Sequence, residues 1–361
     1  MKMFDEWIRR QNASAKRRHR REDAGSSGRA SSPCCLAIAA AALMVVLAGC
    51  SPSSPSSSAT TPAAPSPGAV ASPDSLAANA VECMHKNDLA CAEANWSQYV
   101  KLRPMDVRGI ASLGVVLNKE DKNEQAIEAF EKDISMGAGA YDLFAFYADS
   151  LSKVGRIDEA IDWSYKCLTL MPSLVDVREK LAQLLVLKKR SYEALTLLSE
   201  FDQYLDEHGR EPRFLGNRMA IESAIHDLGS SNTQEVQALR LVKFQDTYYA
   251  PVSVGESGVH PFVVDTGATT VVVNDDFLAA AKIPYKTIRM QAEAQLADGR
   301  VVGAREILID HLKVGPMELN KVKAMTCQSC ELLLGANALS AFTMTMSQVK
   351  GVDVATLTPH G

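Results

Sequence analysis

The sequence predicts two folded domains in one chain, an all-α solenoid of helical repeats followed by an all-β domain. Three observations carry that expectation. Alanines recur every 34 residues through the middle of the chain. After about residue 236 the apolar period drops from that of a helix towards that of a strand. Ahead of both lies a Ser- and Pro-rich stretch that cannot bury a core.

The 361 residues are ample for two domains, and 47% hydrophobic content is ordinary for globular protein. The net charge of −5 is unevenly spread. Residues 1–33 hold nine Lys and Arg against four Asp and Glu, which leaves −10 for the rest. So acidic a chain is excluded as a nucleic-acid binder, because that affinity comes mainly from cations on phosphates.

Residues 34–49, CCLAIAAAALMVVLAG, are apolar and uncharged. The run has the length of a signal-peptide core and is short for a membrane span. It ends in Leu47-Ala48-Gly49-Cys50, which resembles a bacterial lipoprotein signal. That resemblance implies cleavage after residue 49 and a lipid on Cys50; the other reading is a single-pass anchor with an incidental Cys. Ser51, not Asp, follows, and in the lipoprotein reading this implies a periplasm-facing anchor in the outer membrane. Residues 50–75 then form an extended Ser/Pro/Ala spacer.

Ala92, Ala126, Ala160 and Ala194 mark the repeat. Four residues after each stands Trp96, Phe130, Ser164 or Leu198, and small residues precede the later three at Gly114, Ala148 and Ala182. Pro104 and Pro172 close repeats, and stretches such as NEQAIEAFEKDI carry apolar residues at helical spacing. This resembles the tetratricopeptide repeat family over roughly residues 76–205, with a capping helix in 211–228. The array is thus expected over 76–228, with a linker at 229–235. The resemblance implies a concave surface for a protein or peptide partner; alternatively the array spaces or dimerises the next domain.

In residues 236–361, VQALRLVKF and TYYAPVSVG read as strands and DDFLAAAK as a short helix. Asp298-Gly299 signals a two-residue hairpin turn. HPFVV leads into Asp265-Thr266-Gly267-Ala268, and TTVVV leads out. The LADGRVVG hairpin follows, then Leu333-Leu334-Gly335-Ala336-Asn337-Ala338-Leu339. In this order the motifs resemble the retropepsin-like aspartic proteases over residues 240–357. The fold class expected is therefore multidomain: a tetratricopeptide-type solenoid followed by a retropepsin-like acid-protease barrel.

The resemblance implies an aspartic endopeptidase without cofactor or metal. Its catalytic loop would be Asp265, Thr266 and Gly267, and its substrate contacts Ala268 and Thr269 with Ala297, Asp298 and Gly299 of a flap. Leu334, Gly335 and Asn337 would support the loop from behind. The chemistry needs two carboxyl groups sharing one proton, one to take a proton from water and one to give a proton to the substrate carbonyl. The chain holds one Asp-Thr-Gly, so a homodimer through the C-terminal domain would pair Asp265 with its own counterpart. Two positions depart from the family: the flap tip, Ala297 to Arg300, is polar, and Ala338 is small where the family carries a bulky residue. The polar tip motivates a competing reading, a non-catalytic envelope adaptor whose domains both bind protein.

Five cysteines fall in the folded part. Cys83 and Cys91 could bridge two helices of a hairpin, Cys327 and Cys330 form a C-x-x-C suited to a small disulfide loop, and Cys167 is left over. One such pair does not make a structural zinc site. His260 and His311 read as surface or capping residues, and the sequence has no H-E-x-x-H, G-x-S-x-G or phosphate-binding Gly-rich motif.

Overall fold

A computed structural model describes residues 72–229, 238–296, 299–328 and 330–360. Cys50, residues 230–235, Ala297 and Asp298 lie outside the described residues, as do the leader and the spacer up to residue 71. No helix among the described residues is long and apolar enough to cross a membrane.

The described residues divide into two compact units at Gly109–Ile110. The first holds α1 (Pro73–His85) and α2 (Leu89–Leu102), and α3 (Val107–Lys119) begins at its end. Ser72 caps α1 by accepting the Ser75 N–H, and Asp88 caps α2 by accepting the Cys91 N–H. A Cys83–Cys91 disulfide ties the pair. Trp96 and Tyr99 are buried on one stripe of α2, and the Tyr99 hydroxyl donates to Asp106 at 2.6 Å.

The second unit continues with α4 (Asn123–Ser135), α5 (Tyr141–Lys153), α6 (Ile157–Leu170), α7 (Val175–Leu187), α8 (Ser191–Glu207) and α9 (Leu215–Gly229). The alanines at 126, 160 and 194 are fully buried, as are Phe130 and Leu198, so the periodic positions are the ones that pack helix on helix. The free thiol of Cys167 is buried and donates to the Tyr141 carbonyl.

The strands are β1 (Leu239–Arg240), β2 (Val242–Phe244), β3 (Thr247–Val254), β4 (His260–Val264), β5 (Val271–Asn274), β6 (Tyr285–Gln295), β7 (Val301–Val314), β8 (Met317–Cys327), β9 (Leu333–Leu334), β10 (Phe342–Val349) and β11 (Val352–Pro359). Two short helices interrupt them, α10 (Asp275–Ala280) and α11 (Ala336–Leu339). One sheet runs β2-β3-β4-β9-β5-β8-β7-β6, and a further pairing of β3 with β7 closes it into a barrel. Val252, Val254, Phe262, Val271, Val273, Ile307, Ile309 and Leu334 fill the inside. A second sheet runs β1-β11-β10. VQALRLVKF, expected as one strand, breaks at Leu241. Leu239–Arg240 pairs with β11 and Val242–Phe244 with β3, so the segment passes from one sheet to the other.

Within this unit the helices grip the β domain. α8 packs across β2, β3 and β4. Arg178 of α7 is buried, pairs with Glu200, donates to the carbonyls of Leu197 and Pro172, and stacks on the rings of Phe201 and Phe244. Arg240 of β1 reaches back to Asp162 at 3.3 Å and lies over the Tyr165 ring, whose hydroxyl donates to Glu193. Leaving one member of a buried ion pair uncompensated costs about 3–5 kcal/mol, so these are expensive anchors to break.

Burial pushes the Glu200 carboxyl up to about 7, against the pull of the Arg178 guanidinium beside it. A carboxyl raised in the folded chain stabilises most below its unfolded value and loses that contribution as pH rises through its folded value. Stability measured by chemical denaturation is therefore expected to lose the Glu200 contribution between about pH 5 and 7. The Glu200→Gln variant should be less stable throughout and should lack that component of the slope. An unchanged slope contradicts the assignment.

Candidate active site

Asp265 stands where β4 ends, on a loop whose apex, Thr266 and Gly267, is exposed. The loop is fixed from both ends. β4 runs parallel to β9, Val263 and Val264 facing Leu333 and Leu334, while β5 meets β9 from the other side at Val272. The short strand β9 is thus wedged between the two arms of the Asp265 loop. The Asp265 N–H donates to the Leu334 carbonyl at 3.2 Å.

Behind the loop the chain turns into α11. The Ala336 N–H donates to the Ala268 carbonyl at 2.8 Å, and the Asn337 N–H to the Thr269 carbonyl at 3.2 Å. The Asn337 amide accepts from the Val271 N–H at 2.9 Å and donates to the Lys323 carbonyl at 2.8 Å, tying the loop to β8. A Cβ on Gly335 would lie 2.2 Å from the Thr270 carbonyl oxygen and 2.9 Å from that of Ala268. Backbone meets backbone here, so only glycine fits.

The carboxylate is held by the loop itself. Asp265 Oδ1 accepts the Gly267 N–H at 2.8 Å and the Ala268 N–H at 3.3 Å. Two donors on one oxygen orient the carboxyl. Oδ2 has no hydrogen-bond partner among the described residues. Thr269 is exposed and Ala268 half-buried, on the same loop.

The hairpin of β6 and β7 stands over β5 and β8. Its Ala294, Leu296, Val302 and Ala304 pack with Val272, Met325, Cys327 and Cys330, and the two cysteines are joined as a disulfide. The turn is longer than the two residues expected: Leu296 N–H donates to the Arg300 carbonyl, and Gly299 N–H to that of Leu296. Gly299, at φ +85°, takes the left-handed position that lets a three-residue turn close in register.

One cluster was not legible in the sequence. The β7–β8 register sets Arg305 opposite Thr326. Both donate to Oδ1 of Asp275, at 2.5 and 2.6 Å, holding that carboxyl below its usual range. They line an open cleft of about 650 Å³ with Met290, Ala292 and Gly303. The three residues are widely separated in the chain, so spacing could not join them. His260 packs edge-on against Phe277 at 4.8 Å, and His311 pairs with Glu318 at 2.7 Å. No group of three or more His, Cys, Asp or Glu among the described residues could hold a metal ion.

With this geometry in view, residues 250–341 match the family model described as "gag-polyprotein putative aspartyl protease". The match runs from within β3 past α11, so it contains the Asp265 loop, the hairpin and the Gly335–Asn337 support. Among solved structures, a retropepsin-like aspartic protease from Rickettsia conorii is 20% identical over 34% of this chain and 90% of its own, with a TM-score of 0.26. The TPR domain of Arabidopsis OM64 is 12% identical over 31% of this chain and 93% of its own, with a TM-score of 0.30. YrrB, titled a TPR protein with an unusual peptide-binding site, is 17% identical over 42% of this chain and 84% of its own, with a TM-score of 0.33. No curated protein matches the chain. Residues 250–341 are thus similar to an aspartyl protease family, and a helical region precedes them among the described residues.

Adding a methyl group at Gly335 must push the Asp265 loop away from α11. The Gly335→Ala variant is expected to lose about 3 kcal/mol or more in chemical denaturation. Wild-type stability in that variant contradicts the described contact.

Proposed function

We propose that this chain is an aspartic endopeptidase whose active centre forms when two copies bring their Asp265 carboxylates together. The observation that carries the reading is the Asp265 carboxyl, gripped through one oxygen by its own loop, on a loop laced to Gly335 and Asn337. One carboxylate alone cannot both accept and donate a proton in the same step. Two in close apposition share a proton, because they cannot both ionise cheaply, and this supplies one base and one acid.

In the mechanism, a water between the carboxyl groups loses its proton to the ionised Asp265 as its oxygen attacks the scissile carbonyl carbon. The protonated Asp265 of the other copy donates to the carbonyl oxygen, giving a tetrahedral diol. Collapse breaks the C–N bond as the amine takes a proton from the first acid, and one diol hydroxyl gives its proton to the other carboxylate, which leaves a carboxylic acid and restores the shared proton. Gly267 and Ala268 hold the carboxylate in position with their N–H groups. Thr266, exposed at the apex, would bond across the dimer axis. Ala268, Thr269 and Gly299 would line the substrate's path, and the helical repeats would recruit the protein to be cut.

The polar residues around the hairpin tip favour a second reading, in which the barrel docks peptides without cutting them. Hydrolysis of a mixed peptide pool between about pH 4 and 7 separates the two. The wild-type chain is expected to cleave with a specific activity that rises with its own concentration. Asp265→Asn should lower the rate by about a thousandfold or more. Equal rates for the two proteins contradict the enzyme, and absence of cleavage by a monomeric chain favours docking.

A further inference from the structure

The end of the β6–β7 hairpin packs on a small core of its own, and a disulfide makes most of it. The cluster is separate from the barrel's main core, and its buried members are Ala304, Cys327 and Cys330. Cys327 and Cys330 are joined, so two of those three residues are one cystine. Ala294, Leu296 and Val302 of the hairpin pack against it, with Val272 and Met325 from the strands beneath. The alternate residues Glu293, Gln295, Val301 and Gly303 are exposed. The hairpin thus rests its apolar side on the cystine.

The same disulfide staples a crossover in the chain. Cys327 is the last residue of β8 and pairs with Asn274 of β5. Cys330 lies just before Leu333 of β9, which meets β5 at Val272 from the other side. Between Cys327 and Leu333 the chain therefore passes from one edge of β5 to the other, and β5 is the outgoing arm of the Asp265 loop. The S–S bond fixes the start of that passage.

The cystine is buried but can be approached. Cys327 lines the open cleft of about 650 Å³ beside Thr326, Arg305 and Gln328. A small molecule in that cleft meets Cys327 before Cys330. We infer that Cys327–Cys330 is a redox switch: a small dithiol entering this cleft reduces it and releases the hairpin from its seat. A thiolate of the dithiol attacks Sγ of Cys327, the bond to Cys330 breaks, and Cys330 leaves as a thiolate that takes a proton. The second thiol, deprotonated in turn, attacks the sulfur that the dithiol shares with Cys327. Cys327 leaves and is protonated. Two electrons pass to the cystine, and the dithiol ends as a disulfide.

Two thiols do not fit the seat of one cystine. Reduction adds two hydrogens and moves the sulfurs from bonding to van der Waals separation, so the side chains packed on them must give. A segment held by one small cluster opens locally without unfolding the rest. Ile307 and Ile309, further along β7, belong to the main core and stay in place. In the proposed enzyme the loosened crossover reaches β9 and β5, which hold the Asp265 loop, and hydrolysis falls. That consequence rests on the reading of Asp265; release of the hairpin does not.

The test reads alkylation and hydrogen exchange on the purified full chain, oxidised and then treated with dithiothreitol in the absence of denaturant. Alkylation is expected at Cys327 and Cys330, while the buried Cys167 stays unmodified and shows that the fold is kept. Exchange at Ala294, Leu296, Val302 and Ala304 should rise about tenfold or more, with Ile307 and Ile309 unchanged, and should fall back on reoxidation. The Cys327→Ser/Cys330→Ser variant should exchange there like the reduced wild type and gain nothing from dithiothreitol, which separates this cystine from Cys83–Cys91. Cysteines 327 and 330 that react only in denaturant, or a hairpin that exchanges equally in both states, overturn the switch. Peptide hydrolysis on the same samples keeps the two readings apart. Cleavage with an unresponsive hairpin overturns the switch and leaves the enzyme standing. A responsive hairpin in a chain that cleaves nothing supports the switch and contradicts the enzyme.

Discussion

The approach of Gly335 to the Thr270 carbonyl is the constraint on which the rest of the site depends. It is possible only because β9 is wedged between β4 and β5, which sends the chain directly beneath the loop it supports. From that contact follow the bonds of Ala336 and Asn337 to the loop carbonyls, and the amide of Asn337 then locks β5 to β8. Asp265 is presented on a backbone fixed from three directions. A carboxylate held in this way loses little freedom on reaching a reactive geometry, which is where a preorganised site derives its advantage.

A single acid per chain transfers the burden to assembly. Neither the loop nor the hairpin supplies a second carboxyl to Asp265 among the described residues, so in the proposed enzyme activity depends on concentration and symmetry. The helices of the second unit are tied to the same barrel. They are joined to the barrel through a buried Arg178–Glu200 pair and through Arg240, and the second of these anchors sits on the sheet to which β10 belongs.

Much of this was legible in the sequence, for physical reasons. A 34-residue period with small residues at fixed points has few solutions other than stacked helical hairpins, and the buried alanines at 126, 160 and 194 bear that out. Asp265-Thr266-Gly267 and Gly335-Ala336-Asn337 were readable because each needs particular residues at particular backbone positions. The remainder depends on register, which a single sequence does not display. Leu241 marks a change of sheet within what reads as one strand. The hairpin turn gained a residue because the pairing of Leu296 with Arg300 places Gly299 in the left-handed position. Arg305 and Thr326 meet Asp275 only through the β7–β8 pairing. Arg178 looks like a surface residue in sequence, and only the stacking of α7 against α8 and the barrel makes it a buried one.

In the proposed enzyme Asp265 is half of a catalytic centre. A peptide carrying a tetrahedral hydroxyl in place of the scissile carbonyl imitates the diol and should bind far more tightly than a substrate peptide. Calorimetric titration of the chain with such a peptide gives the stoichiometry directly. One inhibitor bound per two chains, abolished by Asp265→Asn, is the result expected of a shared centre. One inhibitor per chain, or binding that survives the substitution, contradicts it.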